Sequence, residues 1–130
     1  MIGLDSTFII DLLSGNSQAA SKAQQLRNEI KAVTPLNHFE VFLGIFLRIQ
    51  SKKEEKRAAA DFFANVDVLP LTPSAAIEAA RIESELIRAG KEMTDIDILL
   101  AGTYLSHGYT KIVTRDKAFS RVKGLTVISY

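Results

Sequence analysis

Short apolar runs alternate with longer stretches of helical periodicity from one end of the chain to the other. Ile2-Gly3-Leu4 reads as a short buried strand. A helix follows through Phe8-Ile9-Ile10 and Leu12-Leu13 and is stopped by Ser14-Gly15-Asn16. Ser17 to Ile30, rich in Ala, Gln, Lys and Glu, predicts an amphipathic helix. Ala32-Val33-Thr34 is a second strand signal, ended by Pro35. Leu36 to Gln50 is the most apolar helix, hydrophobic around nearly its whole circumference, as expected of a buried or interfacial element. Lys52 to Asn65 predicts its partner helix, and Val66 to Leu71 a third strand bracketed by Pro70 and Pro73. Ser74 to Ala89 forms a helix closed by Gly90. Thr94 caps a helix from Asp95 to Ser106 that Gly108 ends. Lys111 to Thr114 is a fourth strand, Lys117 to Val122 a short helix, and Leu125 to Ser129 a fifth strand. Strands alternating with helices over the full length predict an α/β fold with a mostly parallel central sheet of about five strands. No linker or repeat divides the chain, so residues 1–130 are expected to form a single domain.

Composition narrows the classes without naming one. With 130 residues, 47% hydrophobic and 24% charged, the chain can bury a substantial core. A net charge of +1 argues against a strongly basic coat for nucleic acid, though not against a local basic patch. The absence of cysteine excludes disulfides and thiolate zinc sites. The apolar start is broken at Asp5 and lacks a basic leader, and the longest apolar run, Val41 to Leu47, is far short of a membrane span. A cytoplasmic location without membrane association is the expectation.

Four acids stand where acids are expensive. Asp5 ends the first apolar run, Glu40 is the one acid between Leu36 and Lys53, Asp97 begins Ile-Leu-Leu-Ala, and Asp116 follows the strand Ile112-Val113-Thr114. A carboxylate among core-forming residues must be neutral, paired or bound to a cation. No Lys or Arg lies between Lys31 and Arg48, so Glu40 has no partner at helical spacing. Asp5 and Asp116 are also readable as helix caps, and Thr94-x-x-Asp97 as a variant capping box. Glu40 lies too deep in its helix to cap it. In parallel sheets, functional sites lie beyond the carboxyl ends of the strands, and both Asp5 and Asp116 fall there.

These segments, Leu4-Asp5-Ser6-Thr7, Leu36 to Gly44 around Glu40, Asp97-Ile98-Leu99-Leu100-Ala101-Gly102, and Val113 to Phe119 followed by Gly124 to Val127, together resemble the PIN-domain family of metal-dependent nucleases. The resemblance covers essentially the whole chain, and the small size looks like the VapC branch of toxin–antitoxin systems. It implies a PIN-like three-layer sandwich. It also implies an acidic site of Asp5, Glu40, Asp97 and Asp116, serving as both catalytic and metal-binding residues. Asp95 competes with Asp97; the acid directly before the Ile-Leu-Leu-Ala run is the better match. Ser6 and Thr114 match positions where the family places hydroxyls that would hydrogen-bond a carboxylate or the attacking water.

Oxygen ligands without Cys or clustered His favour Mg2+ or Mn2+. The implied activity is hydrolysis of RNA phosphodiester bonds, with an antitoxin of the VapB type and a homodimer as expected partners. Arg115, Lys117, Arg121 and Lys123 around Asp116 are candidates for phosphate contacts. His38 and Glu40, two residues apart, point in different directions on a helix, and His107 sits at a helix end, so neither histidine reads as a zinc ligand. A phosphoacceptor domain would need adjacent acids before its acceptor. A haloacid-dehalogenase-type phosphatase would need an acid where Thr7 stands. A catalytically silent module of the same fold, or a nuclease of RNA processing, remains an alternative.

Overall fold

A computed structural model describes residues 1–50 and 52–130. Its strands are β1 (Ile2–Leu4), β2 (Lys31–Val33), β3 (Asp67–Val68), β4 (Lys111–Val113) and β5 (Thr126–Ile128). The helices are α1 (Ser6–Leu13), α2 (Ser17–Gln25), α3 (Pro35–Leu47), α4 (Lys53–Ala64), α5 (Pro73–Arg88) and α6 (Asp95–Ser106), with a 3-10 helix at Lys117–Arg121. The five strands form one sheet in the order β3-β2-β1-β4-β5, with every neighbouring pair parallel. This is the expected α/β sandwich.

Alternation along the strands divides the core into two layers, as the period of two requires. Ala32 and Ile112 face a cluster with Ile82, Leu86, Leu100 and Tyr104 of α5 and α6. Their successors Val33 and Val113 face the opposite cluster, with Phe8, Val41, Ala59 and Phe63 of α1, α3 and α4. Helices therefore cover both faces, which is why the inner strands read as continuous apolar runs rather than alternating ones. The α5–α6 pair packs closely because Gly102 carries no side chain. A Cβ there would lie 2.7 Å from the backbone nitrogen of Ala79.

Several boundaries differ from the sequence expectation. The helix from Ser17 stops at Gln25 rather than Ile30, because the Ile30 carbonyl is taken by the Ile2 amide at 2.8 Å as the chain enters β2. The helix expected through Gln50 ends at Leu47. Arg48 turns to extended geometry and pairs with Glu55 of α4 at 2.5 Å. Expected over six residues, the third strand keeps two, both exposed at the sheet edge, where Pro70 has no amide to offer a ladder. Thr34 and Thr114 leave their strands. The first becomes the N-cap of α3, with its side chain accepting from the Leu36 amide at 3.2 Å. The last strand is trimmed to Thr126–Ile128, and the final short helix is of the 3-10 type.

Candidate functional site

The strand order reverses direction about β1. From β1 the chain proceeds outward to β2 and β3, then returns to the other side for β4 and β5. In open parallel sheets the crevice beyond such a switch point is where ligands bind. Here it opens between the carboxyl ends of β1 and β4, and the residues that follow those two strands are Asp5 and Thr114.

Asp5 is 3% exposed. It occupies the cap position of α1, but its side chain caps no helix amide. Instead Oδ2 accepts from the hydroxyls of Thr114 at 2.6 Å and Thr7 at 2.9 Å, and the Asp5 amide donates to the Val113 carbonyl at 3.1 Å. The helix-cap reading of Asp5 is thereby replaced. Burial pushes its carboxyl above the usual range against these hydrogen bonds, and the charge of Asp116 pushes the same way.

Glu40 sits half-buried on α3, where its Oε1 accepts from the Ser6 hydroxyl at 2.8 Å. Its carboxyl is also raised, first by burial and then by the charges of Asp97 and Asp5, with the Ser6 hydroxyl opposing. Asp97, in the first turn of α6, is raised by burial and by Asp5 and Asp116, with Thr94 opposing. Asp95, in the same turn, is exposed, whereas Asp97 is partly buried. Asp116 is exposed and does cap: its Oδ1 accepts from the Ala118 amide at 2.9 Å. Its own amide donates to the Thr114 hydroxyl at 2.9 Å, tying it to the same turn that holds Asp5.

The charge of Asp116 thus acts on Asp5 and Asp97, and those of Asp5 and Asp97 on Glu40, across the residue after β1, α3, α6 and the turn after β4. Among the described residues none of the four joins an ion pair. Nor, among the described residues, do three or more His, Cys, Asp or Glu side chains stand close enough together to hold a metal ion as placed. The donor set is all oxygen, anionic and partly desolvated, which suits a hard divalent cation and not zinc. Relief of the mutual repulsion is what such a cation would bring.

Two residues beneath the acids carry weight that the sequence did not announce. Asn37 is fully buried, with Oδ1 accepting from the Thr34 amide at 2.7 Å. That fixes its Nδ2 toward the Leu4 carbonyl at 3.1 Å and the Ser6 hydroxyl at 3.0 Å. Asn37 therefore leaves the Ser6 proton free to point at Glu40. Tyr104, also fully buried, donates its hydroxyl to the Leu4 carbonyl at 2.6 Å and accepts from the Leu4 amide at 3.0 Å. It anchors the residue immediately before Asp5. The one sequence signal was Thr34-x-x-Asn37, a capping box with an amide in the third position.

The remaining candidates scatter. Arg115 is half-exposed and pairs with Asp11 at 3.1 Å, an acid that also accepts from the Tyr130 hydroxyl at 2.7 Å. Lys117 is exposed at the start of the 3-10 helix. The His38 ring stacks on Phe63 with centroids 3.8 Å apart, and its Nδ1 lies 3.1 Å from the Thr34 carbonyl. His107 Nε2 lies 3.0 Å from the Pro70 carbonyl. Beside Glu40 opens a cleft of about 290 Å³, with Ser6 and Thr7 at one end and Phe39, Leu43 and Leu47 along its wall.

A model of the PIN domain matches residues 2–125. The chain belongs to the PIN domain family. Solved structures share its architecture over nearly its whole length. A chain of VapBC2 from Rickettsia felis, bound to a promoter DNA fragment, superposes with a TM-score of 0.87 at 16% identity, covering 100% of this chain and 99% of that one. DNA-bound VapBC from Salmonella typhimurium gives 0.84 at 21% identity, over 98% and 96%. FitAcB from Neisseria gonorrhoeae gives 0.83 at 25% identity, again over 98% and 96%. Comparison with curated proteins returned no match. In this PIN domain no helix among the described residues is long and apolar enough to cross a membrane.

Proposed function

We propose that this PIN domain, residues 1–130 as one unit, is a Mg2+- or Mn2+-dependent endoribonuclease and the toxin of a VapBC-type pair. One observation supports the reading: the carboxyls of Asp5, Glu40 and Asp97 are each raised by burial first and then by a neighbouring acid, Asp116 for Asp5, Asp97 and Asp5 for Glu40, Asp5 and Asp116 for Asp97, while among the described residues none is paired to a cation. Asp5 and Asp97 are the assigned metal ligands, Asp116 binds directly or through water, and Glu40 binds or orients the attacking water. A divalent cation bound there supplies charge to the phosphate and acidity to a water. The chain's own groups do the rest. Glu40, held by Ser6, takes the proton of the attacking water as its oxygen bonds to phosphorus and the bond to the leaving oxygen breaks. Burial raises its carboxyl, which favours taking up that proton. Thr114 and Thr7 hold Asp5 in one rotamer. Lys117, and Arg115 once released from Asp11, are the assigned contacts for the phosphate backbone.

The toxin role is supported by the fold shared with chains of VapBC and FitAcB complexes, and by a toxin–antitoxin complex from Klebsiella pneumoniae at a TM-score of 0.76. Phe39, Leu43, Phe46 and Leu47 leave one side of α3 apolar and exposed, a surface suited to a second copy or an antitoxin segment. A cytoplasmic setting fits this role. The purified protein is expected to cleave labelled RNA with Mg2+ or Mn2+ and to stop with EDTA. Asp97→Asn is expected to abolish cleavage with an unchanged circular dichroism spectrum. Cleavage by that variant at the parental rate would remove the catalytic assignment. RNA binding without cleavage would leave a silent module instead.

A further inference from the structure

A second groove of about 380 Å³ opens between the end of α5 and the segment after the 3-10 helix. Its floor is apolar, from the buried Leu86 and Val122, and its rim carries Arg88, Lys91, Arg121 and Lys123, all exposed. Among the described residues none of these four cations joins an ion pair. The groove's own acid, Glu85, is already held by Arg81 at 2.7 Å. Four uncompensated positive charges around one depression repel one another, in a chain whose net charge is only +1. An anionic chain laid in the groove would relieve that repulsion and release counterions.

The walls are the same segments that deliver the acids. Lys91 lies in the connection from α5 to Asp97, and Arg121 closes the 3-10 helix that Asp116 opens. Arg121 Nη1 donates to the Glu92 carbonyl at 2.5 Å and ties the two walls together. A 3-10 helix rises about 2 Å per residue, so Lys117 and Arg121 are about 8 Å apart along it.

We propose that this groove is a secondary RNA-binding track. Single-stranded RNA leaving the acidic cleft lays its next phosphates against Arg88, Lys91, Arg121 and Lys123, and rests ribose or base on Leu86 and Val122. The proposal rests on the ribonuclease reading for its choice of occupant. A single strand fits better than duplex, because an apolar floor accepts unstacked bases and a depression of this size admits about one nucleotide.

The test uses the full chain carrying Asp97→Asn, so that binding is read without cleavage. Anisotropy of a fluorescein-labelled single-stranded RNA is titrated over a range of salt, with and without Arg88→Ala/Lys91→Ala/Lys123→Ala. Arg121 is spared because it bridges the walls. The triple substitution is expected to weaken binding of a long RNA about tenfold or more. It is also expected to reduce the slope of log K against log salt by about 1, near 0.7 for each of the one or two phosphates flanking the seated nucleotide. A trinucleotide spanning only the acidic cleft is expected to lose far less. With Asp97 restored, the KM for long RNA rises toward that of short RNA. An unchanged long-RNA affinity and salt slope overturns the track. So does a loss of affinity seen with duplex DNA or poly-glutamate but not with single-stranded RNA. Failure of the parent to cleave RNA refutes the ribonuclease reading, and the anisotropy titration still decides the groove.

Discussion

Replacing Tyr104 by Phe removes one oxygen and leaves the ring in place, so its effect isolates the hydroxyl. That hydroxyl lies 2.6 Å from the Leu4 carbonyl and 3.0 Å from the Leu4 amide, with Ala32 O at 3.2 Å and Asn37 Oδ1 at 3.3 Å. The Leu4 carbonyl keeps Asn37 as a donor at 3.1 Å. The Leu4 amide keeps the Ala32 carbonyl, its partner in the parallel β1–β2 ladder. What is lost is the buried hydroxyl's own bonds, about 1 to 2 kcal/mol, out of the roughly 5 to 15 kcal/mol typical of a domain. In a chain of this length that lowers Tm by about 5 °C. Chemical denaturation of Tyr104→Phe against Tyr109→Phe measures it. Tyr109 is nearly as buried, but its hydroxyl makes no hydrogen bond among the described residues. Because Leu4 precedes Asp5, cleavage should fall in the Tyr104 variant and not in the Tyr109 one. A Tyr104→Phe protein within about 0.5 kcal/mol of the parent would refute the anchoring argument.

Two further outcomes follow from the same geometry. Asp5, Glu40 and Asp97 hold protons to higher pH when folded than when unfolded, so stability from this set is present at low pH and falls as pH rises through the raised values. Differential scanning should show Asp5→Asn/Glu40→Gln gaining Tm over the parent at neutral pH and little at acid pH, while Mg2+ raises the parent's Tm at neutral pH. Equal gains at both pH values would contradict this. Gly102→Ala should destabilise by about 1 to 3 kcal/mol, because the added methyl meets Ala79 backbone that cannot rotate away. An urea midpoint matching the parent's would show that α5 and α6 separate freely.

The fold was legible where local pattern and tertiary environment agree. Ile2–Leu4 and Asp95–Ser106 with its Thr94 cap are read residue for residue. Errors fall where a distant partner decides the end of an element: Ile2 takes the Ile30 carbonyl, and Glu55 draws Arg48 out of its helix. At the site, the acids stood out because their neighbours are apolar, whereas Tyr104 looked like any aromatic in an apolar helix. Its meaning depends on Leu4, 100 residues away. Asn37 was hidden likewise, since an amide near a helix start reads as a cap until Ser6 and Leu4 are seen beside it.

The central place of β1 in the sheet has a consequence during synthesis. Its two neighbours are β2 and β4, and Asp5 takes its hydroxyl partner from Thr114, 109 residues later. At roughly 5 to 20 residues per second, several seconds separate translation of the first strand from that of the last residues it needs. A ribosome-bound chain still lacking β4 and β5 is missing two of its five strands and has no closed crevice. The acids of the proposed site therefore come together only after most of the chain has emerged.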